Sequence, residues 1–179
     1  MLAPVTNKFI FPNEAQALFS SLRHILDFVN SNLPFNVDAA DLNFKLKVII
    51  TELLNNAVKH VGNTETIIHI CIDDENIRID KTDFGNPFAP GKHGSLLDKP
   101  VGSKVQLNSD PLHNIYASIE NEMVVKFVCE ENNNGQLPDI NNLTEHFGLL
   151  IITKSADEFT YQYDRSSGLN TFKVSLKLR

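Results

Sequence analysis

The stretch TELLNNAVKH, Thr51–His60, predicts the centre of an amphipathic α-helix that contains two consecutive asparagines. At about 100° per residue, the apolar residues around it gather on one face, which we expect to be buried. The other face is polar and holds Glu52 and Asn56 as neighbours one turn apart. Asparagine inside a helix costs about 0.5–0.7 kcal/mol relative to alanine, so its presence calls for an explanation. The apolar face comprises Leu46, Ile50, Leu53, Leu54, Ala57 and Val61, and the polar face also carries Lys45, Lys59 and His60.

Two interpretations of this polar face are open. Helical periodicity alone favours an ordinary solvated surface. The alternative is metal-dependent phosphate chemistry, because an amide oxygen such as that of Asn56 is a hard, neutral ligand for magnesium, and a carboxylate can orient a nucleophile. In that case Lys59, further along the same face, would meet phosphate oxygens.

The composition is that of one soluble globular domain. Its 179 residues, 42% of them hydrophobic, are enough to build a core. A formal charge of -6 without any run of Lys or Arg argues against nucleic acid or an acidic membrane as the main partner. No segment approaches the roughly 20 apolar residues of a membrane span, and we expect a cytoplasmic protein. Cys71 and Cys129 have no metal-ligand spacing with the histidines and are expected to be buried free thiols.

The order of predicted elements is that of an α+β protein. A strand and two helices come first, and the first helix starts with a capping-box pattern at Asn13 and Gln16. Two hairpins follow, separated by a glycine- and proline-rich segment that we expect to be irregular and mobile, and a helix and a final hairpin end the chain. This grouping favours two layers, a mixed, mostly antiparallel sheet with helices on one face. The predicted strands are 8–11, 66–72, 76–82, 113–119, 123–128, 159–163 and 171–178. The predicted helices are 13–32, one that starts at 38 or 41 and ends at 61, and 143–156, and the irregular segment is 84–111.

The segment ELLNNAVKH resembles the asparagine box of the GHKL ATPases, the superfamily of gyrase B, heat-shock chaperone, histidine-kinase and MutL nucleotide domains. That resemblance makes Glu52 the catalytic residue and Asn56 the magnesium ligand. Downstream, DFGNP resembles the first glycine box of the family. There Asp83 would accept a hydrogen bond from the adenine amino group, and Gly85 would let the backbone close round the base. Alone, DFGNP would be better interpreted as a tight turn after a strand, but two boxes in the right order are a stronger signal.

Within that superfamily the chain is similar to the small bacterial serine kinases that act as anti-sigma factors or switch kinases. The tail HFGLLIITKSADEFTYQYDRSSGLNTFKVSLKL resembles their second glycine box, helix and final hairpin. The resemblance assigns Gly148 to that box and Thr171 to the family's threonine beside the adenine pocket. His146 departs from it, because the family has a glycine there that lets the backbone approach the phosphates. A histidine would either obstruct that approach or donate to a phosphate.

A second departure is the long segment between the two glycine boxes, roughly twice what compact members of the family need. We interpret the chain as a single ATP-binding domain, residues 1–179, with an atypical lid or insertion at about 92–144. The insertion contains the extra hairpin of residues 113–128, which is expected either to bind a partner or to form part of an altered lid.

The resemblance implies a Bergerat-type fold that binds ATP and magnesium and transfers the γ-phosphoryl group to a serine of a partner protein. Its partners would be ATP or ADP, an anti-sigma-factor antagonist domain and a sigma factor, and a homodimer is compatible with it. The alternative is a non-catalytic nucleotide-binding or interaction module, which His146 favours. The ATP-binding half of a histidine kinase is a weaker third interpretation, because no room precedes the first strand for a phosphoacceptor helical hairpin.

Overall fold

In the described part of the chain, eight strands form one open sheet, and three α-helices pack on one of its faces. The computed structural model of the protein describes residues 3–34, 37–61, 65–90, 94–109, 113–131 and 147–178. The strands are β1 Val5–Phe11, β2 Thr66–Ile72, β3 Asn76–Phe84, β4 Lys104–Ser109, β5 His113–Ile119, β6 Val124–Glu131, β7 Glu158–Asp164 and β8 Leu169–Lys177. The helices are α1 Leu18–Asn32, α2 Ala39–His60 and α3 Phe147–Ser155.

The strand order in the sheet is β1-β2-β3-β8-β7-β6-β5-β4. The presence of three helices and an antiparallel sheet confirms the predicted α+β class. All pairings among the described strands are antiparallel, so the expectation of a mixed sheet is wrong. Of the three helices in the described part of the chain, none has both the length and the apolar character needed to cross a bilayer.

Helix α2 buries the face that its periodicity predicts. Asp38 caps its start, since the carboxylate accepts a hydrogen bond of 3.0 Å from the backbone N–H of Ala40. The buried residues of α2 are Leu42, Leu46, Ile49, Ile50, Leu53, Leu54 and Ala57, all in the main hydrophobic core. Gly62 and Asn63, the predicted end of this helix, lie outside the described residues.

Helix α1 does not begin with the predicted capping box. It starts at Leu18, after a short 3-10 helix, Ala15–Ala17. Asn13 adopts a left-handed backbone conformation with φ of 58°, and the Gln16 amide donates to Glu14 at 2.6 Å. Asparagine tolerates this conformation better than most residues, so Asn13 turns the chain before the helix and does not cap it.

The segment 84–111 is more regular than predicted. It contains a short 3-10 helix, Leu96–Asp98, and strand β4, which pairs with β5. The register of β4 shifts between Gln106 and Asn108, and such a bulge breaks the alternation by which a strand is recognised in sequence. The predicted hairpin of β5 and β6 is confirmed, and β6 pairs with β7. Part of the predicted insertion therefore extends the main sheet.

One face of the sheet is buried against the helices, and the described side chains on the other face are mostly half-buried or exposed. In β2 the even-numbered residues Ile68, Ile70 and Ile72 are buried, whereas Cys71 is half-buried on the other face, where its sulfur accepts a hydrogen bond of 3.3 Å from Arg78. Cys71 and Cys129 are free thiols, as predicted. They are half-buried, however, so the expected full burial is wrong.

Candidate functional site

The first turn of α3 lies directly against the polar face of α2. A β-carbon placed on Gly148 would stand 2.6 Å from Oε2 of Glu52 and 4.0 Å from Nδ2 of Asn56. Both side chains are half-buried, and their neighbouring positions on α2 agree with the helical wheel. The structure therefore brings together three of the predicted site residues, although Gly148 lies far from the other two in sequence.

The remaining residues predicted on or near this surface are more exposed. Lys59 is exposed at the end of α2, near the end of the polar face. Gly85 is exposed in the turn after β3, where its backbone N–H donates to the Gly168 carbonyl at 3.0 Å. His146, the departure from the second glycine box, lies outside the described residues.

Gly148→Ala should test the contact between α3 and Glu52. Alanine normally stabilises a helix by about 0.8–1.0 kcal/mol relative to glycine, but here its methyl group would collide with the Glu52 carboxylate. Because Glu52 can swing away, we expect a folded variant in which that carboxylate is displaced and the gain from helix propensity is largely lost. Urea unfolding measures the effect.

The background variant Glu52→Ala supplies the control for this contact. Without the carboxylate, Gly148→Ala should recover the full helix-propensity gain, giving a positive coupling between the two sites. Equal effects of Gly148→Ala in both backgrounds would show that the contact with Glu52 does not matter.

Asp83 lies inside the protein and already has a cationic partner. Lys81 and Asp83 are two residues apart in β3, so both point to the helix-covered side, and they are only 2% and 6% exposed. The Lys81 ammonium forms a salt bridge with Oδ2 of Asp83 and lies 5.2 Å from the centre of the Phe172 ring. Burial lowers the pKa of Lys81, and the attraction of Asp83 opposes this shift only in part.

Sequence reasoning missed Lys81, although a signal for it exists. In β3 the inward positions are Ile77, Ile79, Lys81 and Asp83, so a lysine follows two isoleucines on the buried side. Lysine is almost never fully buried without a partner, and Asp83 is the nearest acid on that face.

Thr171 lies on the opposite face of the sheet from Asp83. The register of β3 and β8 pairs Asp83 with Asn170, whereas Thr171 pairs with Thr82. A shift of one residue turns a side chain to the other face of a sheet, so Asn170 stands beside Asp83 and Thr171 does not. Asn170 is 5% exposed and was not predicted as a site residue.

A cluster of aromatic rings lies beside this buried ion pair and meets it at Phe172. The ring of Phe88, from the turn after β3, packs edge-on against Phe127, Tyr161 and Phe172, with centroid distances of 5.5–6.2 Å. These three partners come from three adjacent strands, β6, β7 and β8. The DFGNPF segment is thus anchored in an aromatic cluster next to Lys81 and Asp83.

Oxygen donors for magnesium are present at Glu52 and Asn56. Magnesium prefers oxygen ligands and commonly combines one or two protein groups with substrate phosphates. Within the described residues no three His, Cys, Asp or Glu side chains form a metal-binding group. The donors therefore fit a magnesium ion that shares its ligands with bound phosphate, and do not form a cage built by protein alone.

A cleft of about 290 Å³ opens elsewhere, beside the turn after β3. Its lining includes neither Glu52 nor Asp83, but it includes Arg165 and Asp98, which form an ion pair 3.0 Å apart. It is lined by Pro87, Ser95, Leu97, Asp98, Tyr163 and Arg165. The site at Glu52 and Asn56 is a better guide to chemistry than this cleft, because it places a carboxylate and an amide one turn apart, whereas Asp98 in the cleft is paired with Arg165.

No protein-family model matches the chain, and no curated protein sequence does either. Inferences about its function therefore rest on the motifs and on the geometry of two sites, one around Glu52 and one around Asp83.

Proposed function

We propose that the protein is an ATP-binding regulatory protein of the anti-sigma or switch serine-kinase type, with a Bergerat-type fold. The observation that carries this proposal is the contact of Gly148 with Glu52 and Asn56. Two segments that separately resemble the asparagine box and the second glycine box meet at one place, which a solvated helix face would not require.

In this proposal the residues divide between the two ends of the nucleotide. Asn56 would hold magnesium together with the phosphates, and Lys59 would approach the phosphates from the end of α2. Glu52 would accept the proton of a serine hydroxyl on the partner protein, while Asp83 and Gly85 would receive the adenine. Phosphoryl transfer depends mainly on positioning and on electrostatic stabilisation, and the bound magnesium ion would supply much of the latter.

The proposed partners follow from the same resemblance. The serine substrate would belong to an anti-sigma-factor antagonist domain, and a sigma factor would be the second protein partner. A cytoplasmic location and a homodimer are part of the same proposal.

A second candidate is a non-catalytic module that keeps the fold without turnover. The buried salt bridge between Lys81 and Asp83 favours it, because one oxygen of the predicted adenine acceptor is already engaged. A carboxylate paired in this way is a weaker acceptor for an amino group than an unpaired one.

Asn56→Ala separates the two candidates. If Asn56 is a magnesium ligand, wild-type protein should bind ATP more tightly with magnesium than without it, and the variant should lose this gain, about tenfold or more. Calorimetric titration with ATP and ADP, each with and without magnesium, measures the effect.

Asn55→Ala is the matched control, since it removes the adjacent asparagine at the edge of the polar face. It should keep the magnesium-dependent gain. ATP binding to the wild type that is indifferent to magnesium would instead support the non-catalytic module.

A further inference from the structure

Two buried side chains, those of Tyr161 and Asn170, hold the backbone of the turn after β3 by hydrogen bonds. The hydroxyl of Tyr161 accepts a hydrogen bond of 2.7 Å from the backbone N–H of Phe88 and donates one of 2.7 Å to Oδ1 of Asn170. Asn170 in turn donates from Nδ2 to the carbonyl of Asn86 at 3.2 Å. Tyr161 and Asn170 thus hold the turn at two backbone positions.

Tyr161 and Asn170 together form a clamp on this turn, and their partners determine which group donates and which accepts each hydrogen bond. Tyr161 is completely buried and Asn170 nearly so, and burial raises the pKa of the Tyr161 hydroxyl, which therefore keeps its proton and can donate. Reversing the Asn170 amide would place its oxygen against the Asn86 carbonyl, so only one orientation satisfies both contacts. Each group in the clamp has a complementary partner.

We infer that Tyr161 is a positioning residue for the base end of the ligand, acting through Asn170 and the turn after β3. This inference rests on the proposed function. Asn170 is the direct cross-strand neighbour of Asp83, and the turn it holds follows immediately after Asp83 in the chain. Glu52 and Asn56 lie on α2, in a different layer.

Because the clamp lies in the sheet and Glu52 and Asn56 lie on α2, we expect loss of the clamp to weaken binding of the base and not of the phosphates. Loss of the Tyr161 hydroxyl leaves the N–H of Phe88 and Oδ1 of Asn170 without this partner in a buried place, which favours opening of the turn. Asp83 and Gly85 would then be less well positioned for a purine ring. The phosphate end, at Glu52 and Asn56, has no part in the clamp.

Tyr161→Phe tests the inference, because it removes the hydroxyl and keeps the ring. Calorimetry with ATP, adenosine and tripolyphosphate, each with magnesium, should give about tenfold weaker binding of ATP and adenosine and unchanged binding of tripolyphosphate. Hydrogen exchange should also become faster at the Phe88 amide. Asn170→Ala is a second variant that should weaken adenosine binding in the same way, should Tyr161→Phe prove unstable.

Tyr116→Phe is the matched control. Tyr116 lies on β5, which β6 and β7 separate from β8, and its ring centre is 4.1 Å from the Lys104 ammonium. Its binding constants should stay within about twofold of wild type. Unchanged adenosine binding in Tyr161→Phe overturns the inference, and so does an equal loss for tripolyphosphate, which would mark a merely structural role. If the wild type binds none of the three ligands, the proposed function itself fails and the inference falls with it.

Discussion

Glu52→Gln is expected to lower the rate of phosphoryl transfer by about 10²–10⁴-fold while leaving ATP binding close to wild type. Glutamine has the shape of glutamate and preserves the packing against Gly148, but it cannot accept a proton. The prediction follows from the placement of the carboxylate one turn from Asn56, the proposed magnesium ligand. The measurement is transfer of labelled phosphate from ATP to a serine of an anti-sigma-factor antagonist domain.

Glu65→Gln serves as the control for this variant. Glu65 is exposed before β2 and does not belong to α2, and its substitution should leave the rate unchanged. Labelling that survives Glu52→Gln would remove the assigned role of Glu52 as the base, whatever its effect on binding. Transfer that is absent in the wild type as well, together with normal ATP binding, would favour the non-catalytic module.

Lys81→Met should destabilise the protein by about 3–5 kcal/mol. The substitution retains the apolar bulk beside Phe172 but leaves the Asp83 carboxylate buried without its cation. A buried carboxylate without a cation costs far more than a buried ion pair, because it has lost its hydration and no ammonium replaces those interactions. Urea denaturation with a common slope for both proteins measures the difference.

The double variant Lys81→Met/Asp83→Leu should recover most of that loss, because replacing a buried ion pair by apolar residues is often neutral or stabilising. Lys177→Met is the control, since Lys177 is exposed near the end of β8 and its loss should stay within about 0.5 kcal/mol. A cost below about 1 kcal/mol for Lys81→Met would mean that Asp83 finds water or another partner in place of the ammonium.

Helix α2 could be predicted from sequence because its signal is local. The spacing of its apolar residues defines the buried face, and the positions of Glu52 and Asn56 follow from the helical period alone. The contact with Gly148 depends on how α3 packs on α2, which periodicity does not contain, and only the motif resemblance connected the two segments. The local sequence pattern predicts which face of a helix is buried, whereas tertiary packing determines which other element contacts that helix.

The features that the sequence did not predict have equally specific causes. Thr171 and Asn170 are adjacent in β8, and only the pairing register reveals which of them stands beside Asp83. Strand β4 escaped prediction because a bulge interrupts its alternation. Lys81 escaped because a charged residue in a strand suggests a solvated position, unless the phase set by the preceding isoleucines is followed through to Asp83.

The two edge strands of the open sheet, β1 and β4, differ in how well they resist pairing with a foreign strand. Edge strands expose backbone donors and acceptors to which a foreign strand can attach, and natural proteins discourage this with bulges and charges. The outer strand β4 has both, a bulge and a lysine, Lys104, that pairs with Glu130 and lies over the Tyr116 ring. The outer strand β1 also carries an exposed lysine, Lys8, but it pairs with β2 in unbroken register and exposes Val5 and Ile10. Resistance to aggregation is therefore unequal at the two borders, and β1 is the more vulnerable one.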